Sequence, residues 1–434
     1  MKISKYTSKV EINEDVCCIF NRLVMKPLYV SIEEANKILE LNVTDSYTEQ
    51  LLCKAGIYIK NEDQDVRALQ ILQSECNQAQ KRIDLMYLIV SQSCNLSCKY
   101  CFEEQENGNW KNMLMTRDVA FAAIDQFVKH IKTHNIAHPK IMFFGGEPLL
   151  NWQTVKETIL YAEKADVHFE YSIVTNATLL NEEIVKFLAK YQVGVGVSVD
   201  GPKHINDKNR VYRTKTESVY DKVMEKLELL KKFKCTYGYS ITNTDDILEH
   251  KDEFNEWIEN QDVTNIFLNL LHFSSYNDSW REFYERSTDF MIENFNILLE
   301  RGILNGRIYR HFDSLLERKF KFADCAAIGV NQIVIKANGD MYICQCECKK
   351  ENNFLGNIKE ITFDKALEDP IVENWVNIQP IFNPKCRDCE CLFVCGGGCP
   401  TQANHLFPLD KFDYSFCVFM KNTFKWMLQY CNKY

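Results

Sequence analysis

Three observations predict an α/β chain built on an incomplete barrel. Six apolar segments alternate with amphipathic helical stretches between residues 84 and 305. A short mixture of strands and helices precedes them. Eleven of the nineteen cysteines follow them, between Cys325 and Cys431. The expected fold is therefore a partial (β/α)6 barrel of the TIM type over residues 81–305. A winged-helix-like domain over 1–80 precedes it, and a cysteine-rich domain over 306–434 follows. A length of 434 residues suits two or three such units.

In the first unit, "VCCIFNRL" and "PLYVS" read as a strand pair. Ser31 followed by Glu34 is a capping box that opens a helix to about Leu41. Asp45 to Ala55 forms a second short helix, "GIYIK" a strand, and "DQDVRALQILQSECNQAQK" a helix leading into the barrel. Helices with a strand wing suggest a docking module. Residues 1–60 carry eight Lys/Arg and eight Asp/Glu, so they present no basic face for nucleic-acid phosphates. An exposed sheet edge that accepts a peptide as an added strand is the favoured reading.

The barrel strands are "LMYLIV", "KIMFF", "FEYSIVT", "VGVGVSV", "TYGYSIT" and "NIFLNLL". Stretches such as "VAFAAIDQFVKHIK" and "NEEIVKFLAKY" supply the helices between them. Strands apolar on both faces imply a parallel sheet covered by helices. Six units are two short of a closed barrel. Chemistry in such folds sits at the carboxyl ends of the strands. Beyond residue 306, "QIVIKANGDMYIC" reads as a hairpin turning at Asn338-Gly339, and "FCVFMKNTFKWMLQYC" as a last helix.

A net charge of −9 and a pI near 5.6 argue against nucleic acid or an anionic membrane as the main partner. No apolar run approaches the roughly 18 residues of a membrane span. The opening "MKISKYTSKVEINEDV" is polar and has no apolar signal core, so a cytoplasmic location is expected. In a reducing compartment, clustered thiols point to metal rather than disulfides.

Cys94, Cys98 and Cys101 fall on one loop directly after the first barrel strand. Three soft thiolates suit a [4Fe–4S] cluster with one iron left open, or a zinc ion that borrows a distant fourth ligand. The segment "CNLSCKYCF" resembles the CxxxCxxC loop of the radical S-adenosylmethionine (SAM) superfamily, and the resemblance spans residues 84–305. It implies that the three thiolates hold three irons while SAM chelates the fourth. Reductive cleavage of SAM then yields a hydrogen-abstracting 5′-deoxyadenosyl radical. Further motifs fall at successive strand ends. "FFGGEPLL" resembles the family's GGEP turn, implying Gly145, Gly146 and Glu147 as cofactor contacts, with Glu147 at the SAM ammonium. "TNATLL" resembles the TNG stretch and implies Asn176, with Ala177 where Gly is usual. "VSVDG" implies Ser198 and Asp200 near the ribose or carboxylate. "HINDKNR" implies Arg210 as a carboxylate partner. Phe102, next to Cys101, completes the implied cofactor set.

The later cysteines follow the pattern Cys325-x13-Gly339-x4-Cys344, then Cys386-x2-Cys389-x5-Cys395-x3-Cys399-x17-Cys417. This is similar to the SPASM extension of radical SAM enzymes. It implies two auxiliary [4Fe–4S] clusters, three clusters in all. Cys325, Cys344 and Cys399 would serve the first auxiliary cluster, and Cys386, Cys389, Cys395 and Cys417 the second. The fourth ligand of the first is Cys346, Cys348 or the substrate itself. Zinc is the competing reading. Cys17, Cys18, Cys53, Cys76, Cys235 and Cys431 read mostly as buried small hydrophobes, and Cys391 has no assignment.

Two functions fit. A peptide maturase would bind the leader of a ribosomally made precursor on residues 1–80. It would form a thioether, a carbon–carbon cross-link or a related change in the core peptide. An anaerobic sulfatase-maturing enzyme would make formylglycine. The N-terminal 80 residues resemble a leader-recognition element and favour the first. A reductase such as flavodoxin or ferredoxin is the implied electron donor. An iron–sulfur protein that only carries electrons would leave the GGEP turn and the three-thiolate loop unexplained.

Overall fold

The computed structural model describes residues 1–101, 113–214, 216–273, 275, 277–348 and 351–433. The chain opens with an antiparallel sheet of β1 (Thr7–Glu11), β2 (Val16–Asn21) and β3 (Leu28–Ser31), with β2 in the centre. The sequence reading missed β1. Its "TSKVE" is half-exposed along most of its length and carries little apolar alternation. Helix α1 (Ile32–Leu39) begins at Ser31, whose side chain and that of Glu34 form the reciprocal capping box. Helix α2 (Ser46–Lys54) is capped by Asp45, and α3 (Asp63–Ala79) leads out of the module. "GIYIK" supplies Tyr58–Ile59, which pairs with Lys2–Ile3 apart from this sheet.

Alternation along β2 sends its side chains to two different cores. Cys17 and Ile19 pack with Ala35, Ile38 and Leu52 of the helices. Cys18 and Phe20 face the other way, into the main core of the molecule. There Phe20 meets Phe424 edge-on at 5.6 Å, and Tyr29 Oη donates to the Leu428 carbonyl at 2.9 Å. The module is thus built onto the last helix rather than hung from a linker.

Six parallel strands follow in sequential order: β4 (Leu85–Ser91), β5 (Lys140–Gly145), β6 (Glu170–Thr175), β7 (Gly194–Ser198), β8 (Tyr237–Asn243) and β9 (Asn265–Leu270). Between them run α4 (Arg117–His134), α5 (Trp152–Ala162), α6 (Glu182–Lys190), α7 (Val219–Lys232) and α8 (Lys251–Glu259). The expectation of strands apolar on both faces holds for β4, where Leu88, Ile89 and Val90 are all buried, but not throughout β6–β9. Ile141, Phe143, Ile173, Val195, Val197 and Ile241 are fully or almost fully buried. The alternate positions include Ser172, Gly196, Ser198, Ser240 and Asn269 and are half-buried. Small and polar side chains there leave room inside the curve of the sheet.

The sheet does not stop at the barrel. After α9 (Trp280–Glu300) and α10 (Gly306–Leu316), strand β10 (Gln332–Ile335) pairs in parallel with β4, from Gln332↔Leu85 to Ile335↔Leu88. β11 (Asp340–Tyr342) returns antiparallel through the expected turn at Gly339, and Gly356–Asn357 adds a final strand. With Leu304–Asn305 pairing in parallel with β9 at the other end, the described residues form one ten-stranded sheet that crosses residue 306. The chain ends on α11 (Pro370–Asn377) and α12 (Tyr414–Cys431), the latter packed along α9. Among the described residues, no helix is long and apolar enough to cross a membrane.

Candidate functional site

The cysteine loop leaves β4 at Ser91 and is fastened on both sides. Gly146 N–H donates to the Ser91 carbonyl and Glu147 N–H to the Ser93 carbonyl, each at 2.9 Å. A Cβ on Gly145 would sit 2.1 Å from Ser91 O, and one on Gly146 2.5 Å from Ser93 O. The glycines of the GGEP turn are therefore needed for close approach to the backbone of the cysteine loop. From the other side, Ser97 and Lys99 donate to the carbonyls of Val211 and Asn209, and Arg213 Nε to that of Cys94.

Glu147 is fully buried. Its carboxylate accepts from Thr175 Oγ1 at 2.6 Å, Asn176 N at 2.8 Å and Leu149 N at 3.0 Å. Burial pushes its pKa up to about 7. The sequence reading placed Glu147 at an ammonium. The structure gives it three protein donors and makes it a brace between the ends of β5 and β6. Asn176, at the end of β6, turns its amide nitrogen toward Asn95 Oδ1 (2.9 Å) and Cys94 Sγ (3.9 Å). Ala177 takes φ +62°, a left-handed conformation that glycine adopts without strain. That backbone requirement explains why glycine is usual there.

Asp200 and Arg210 find each other. Arg210 donates to Asp200 at 2.8 and 3.0 Å, the Tyr100 hydroxyl also donates to Asp200, and Thr242 N–H adds a third contact at 3.0 Å. Within the fold the guanidinium pairs with a buried carboxylate, and Tyr100, inside the cysteine loop, joins the pair. Arg210 also lies close enough to Cys98 to favour its thiolate, against the burial that pushes that thiol up to about 11. Ser198 is half-buried on the inner face of β7, in register with Ser240. Phe102 lies outside the described residues.

The donor set fits a cluster better than a lone ion. Cys94 is pushed up to about 12, by burial first and then by Glu147, Cys98 and Cys101 around it. Such thiols ionise only against a strong local cation. The three thiols share one loop and act on one another electrostatically; three soft sulfurs suit iron and sulfide with one iron open, whereas zinc would need a fourth ligand from elsewhere.

The C-terminal cysteines fall into two groups. Cys325, Cys344 and Cys399 act on one another electrostatically, and Tyr87 on β4 feels Cys325, Cys344 and Cys346. Cys348 is buried with Ile89, Val334 and Tyr342, and its thiol donates to the Cys344 carbonyl at 3.3 Å. The second group is Cys386, Cys389, Cys395 and Cys417, with Cys391 beside Cys389. Asp413 links the groups: it accepts from Cys399 N at 2.9 Å and caps α12, which carries Cys417. Asp324, next to Cys325, is held well below the usual carboxylate range by Arg310, His311 and Arg307, despite its burial. Sequence reading missed Tyr87, Tyr100, Asp324 and Asp413. Only the position of Asp324 and Tyr100 beside a motif cysteine signalled them. Of the other thiols, Cys17, Cys18, Cys76 and Cys235 are buried as expected, but Cys53 is exposed.

One further group, His130, His134 and Asp364, could ligate a metal. His130 Nε2 accepts from the Ile83 N–H at 3.0 Å, so Nδ1 carries the proton and donates to Asp364 at 2.8 Å. Both nitrogens are satisfied within the fold, and the group is structural.

Comparison with known proteins agrees with this geometry. Residues 88–259 match the Radical SAM superfamily. A cysteine-type anaerobic sulfatase-maturating enzyme from Clostridium perfringens is 26% identical over 81% of this chain and 98% of its own. The radical SAM cyclopropyl synthase TigE from Paramaledivibacter caminithermalis is 28% identical over 74% of this chain and 68% of its own. The crystal structure of Streptococcus suis SuiB bound to its precursor peptide SuiA superposes with a TM-score of 0.54 at 15% identity, covering 95% of this chain and 99% of that one. The cysteine loop, the partial barrel and the two C-terminal thiol groups, with these matches, support a radical SAM superfamily member with a SPASM domain, the family match itself lying on residues 88–259.

Proposed function

We propose that this enzyme modifies a ribosomally made precursor peptide, using SAM and three [4Fe–4S] clusters. The observation that carries the reading is the N-terminal sheet. Among the described residues, its outer strands β1 and β3 each pair only with β2, leaving edges that an extended leader can join. The sulfatase-maturating relative covers 81% of this chain and nearly all of itself, so a fifth of the chain lies beyond it. That is about the size of the module. The SuiB structure, solved with a precursor peptide, spans 95%.

Cys94, Cys98 and Cys101 would hold the cluster whose open iron takes SAM, and the bound pair supplies the one-electron cleavage and hydrogen abstraction of the superfamily. The chain's own residues set the stage. Glu147, Asn176 and the Gly145-Gly146 turn fix the loop. The Asp200–Arg210–Tyr100 network braces it from the opposite side. Ser198 and Ser240 offer hydroxyls on the inner face, within reach of a sugar. Leader binding raises the local concentration of the core peptide.

The test uses the full chain, because the module shares its core with α12. Anaerobic incubation with SAM and dithionite should yield 5′-deoxyadenosine, and replacing Cys94, Cys98 and Cys101 by Ala should abolish it while auxiliary iron stays bound. A precursor with its leader should be altered in mass, and the same core without it should not. The Clostridium relative supports a second reading, formylglycine formation. Conversion of a leaderless sulfatase peptide at full rate would establish that reading and sink the first.

A further inference from the structure

Arg22 sits in the turn after β2 and is 6% exposed. Within the module it donates to the Lys5 carbonyl at 2.9 Å, Ser8 Oγ at 3.0 Å and the Thr7 carbonyl at 3.5 Å, and it lies over the Tyr6 ring. Its remaining arm leaves the module. Nε donates to the Arg387 carbonyl at 3.1 Å, and the guanidinium lies 3.9 Å from Asp388. Arg387 and Asp388 are the two residues between Cys386 and Cys389. The charges of Cys389 and Glu390 also act on Arg22.

Arg22 is the only arginine in residues 1–66. A planar fork with five donors serves several acceptors in fixed directions, a geometry that a lysine's three rotating donors do not provide. The side chain is desolvated, and burial pulls its pKa below the usual guanidinium value. Its positive charge is therefore weakly screened and points at a thiol loop.

We infer that Arg22 is a positioning residue that couples the N-terminal module to the second group of auxiliary cysteines. It sets the shape of the Cys386–Cys389 loop and the reduction potential of the cluster held there. This rests on the reading that Cys386, Cys389, Cys395 and Cys417 hold iron and sulfide. Reduction adds negative charge to such a cluster, so a fixed buried cation nearby favours the reduced state. Coupling is reciprocal. A peptide that joins the module and shifts Arg22 changes the potential, and reduction of the cluster changes the affinity of the module for the peptide by the matching factor.

The experiment is a redox titration of the fully reconstituted enzyme, followed by EPR, with the three clusters resolved. Arg22→Met should lower the potential of one cluster and leave the other two in place. Arg22→Lys keeps the charge and loses the fork, so it should shift that potential less. Asp388 is 90% exposed at its side chain, so its replacement removes no buried packing. Asp388→Asn should move the same potential upward, which keeps the inference testable if Arg22→Met folds poorly. Adding leader peptide should shift this potential in the wild type and not in Arg22→Met. With full iron content, an unchanged potential in Arg22→Met overturns the inference, and so, where that variant folds poorly, does an unchanged potential in Asp388→Asn. A Cys386→Ala/Cys389→Ala protein that loses no iron overturns instead the cluster reading beneath it.

Discussion

Arg210 meets Asp200 through two hydrogen bonds, of 2.8 and 3.0 Å, with the carboxylate wholly buried and the guanidinium side chain 8% exposed. Removing one partner strands the other. Asp200→Ala leaves a buried cation without its counter-charge, a loss of about 3–5 kcal/mol. Urea denaturation of the iron-free protein should show it. The double variant Asp200→Ala/Arg210→Met should regain more than half of that loss, since replacing both charges is far milder than orphaning one. A double variant no more stable than the single one would place the cost elsewhere.

Cys346 and Cys348 should behave differently. Cys346 stands with Cys325 and Cys344 around Tyr87, whereas Cys348 spends its thiol on a backbone carbonyl inside an apolar pocket. Cys346→Ser should reduce bound iron and alter the EPR signal of the first auxiliary cluster. Cys348→Ser should leave iron and sulfide per chain at the wild-type level. Equal losses from both would refute the distinction.

Glu147 gives the iron-free protein a pH dependence of unusual sign. Its folded pKa is raised to about 7 by burial. The native state therefore holds a proton that the unfolded chain has already released. Its contribution is fully present below the unfolded value and is lost as pH rises toward about 7. Stability from this group should fall between about pH 4.5 and 7, opposite to a salt-bridged carboxylate. Glu147→Gln should flatten that slope in urea titrations at several pH values, although its amide opposes one of the three donors and lowers stability overall.

Phe20 tests how the module is held. Its ring is fully buried against Phe424. Phe20→Ala should cost about 3–5 kcal/mol. Hydrogen exchange should accelerate along α12 as well as in β2. Faster exchange confined to β2 would mean the module is only loosely attached.

Much of the architecture is written locally. The capping box at Ser31 and Glu34, the positions of the six barrel strands and the turn at Gly339 depend on neighbours within a few residues, and all appear where the sequence put them. The cysteine spacings belong to the same class. What escaped is long-range. Asp200 and Arg210 each carry a charge that the sequence displays, but nothing in it shows that each is the other's partner. Glu147 carries the mark of a cofactor residue, but nothing in the sequence shows that Thr175, Asn176 and Leu149 all donate to it. β1 was lost because it is half-exposed, and the union of β10 with β4 because strand pairing over such a separation leaves no local trace.

That union governs how the chain is made. Met86 and Ile333 are partners across it, although roughly 250 residues separate them in the chain, a very non-local contact. Ribosomes add about 5–20 residues per second. The strand that launches the cysteine loop therefore waits about 12–50 seconds with one edge bare before its neighbour emerges. Nascent chains stalled or cut before residue 332 carry that bare edge permanently, and they are the species for which chaperones must compete with aggregation.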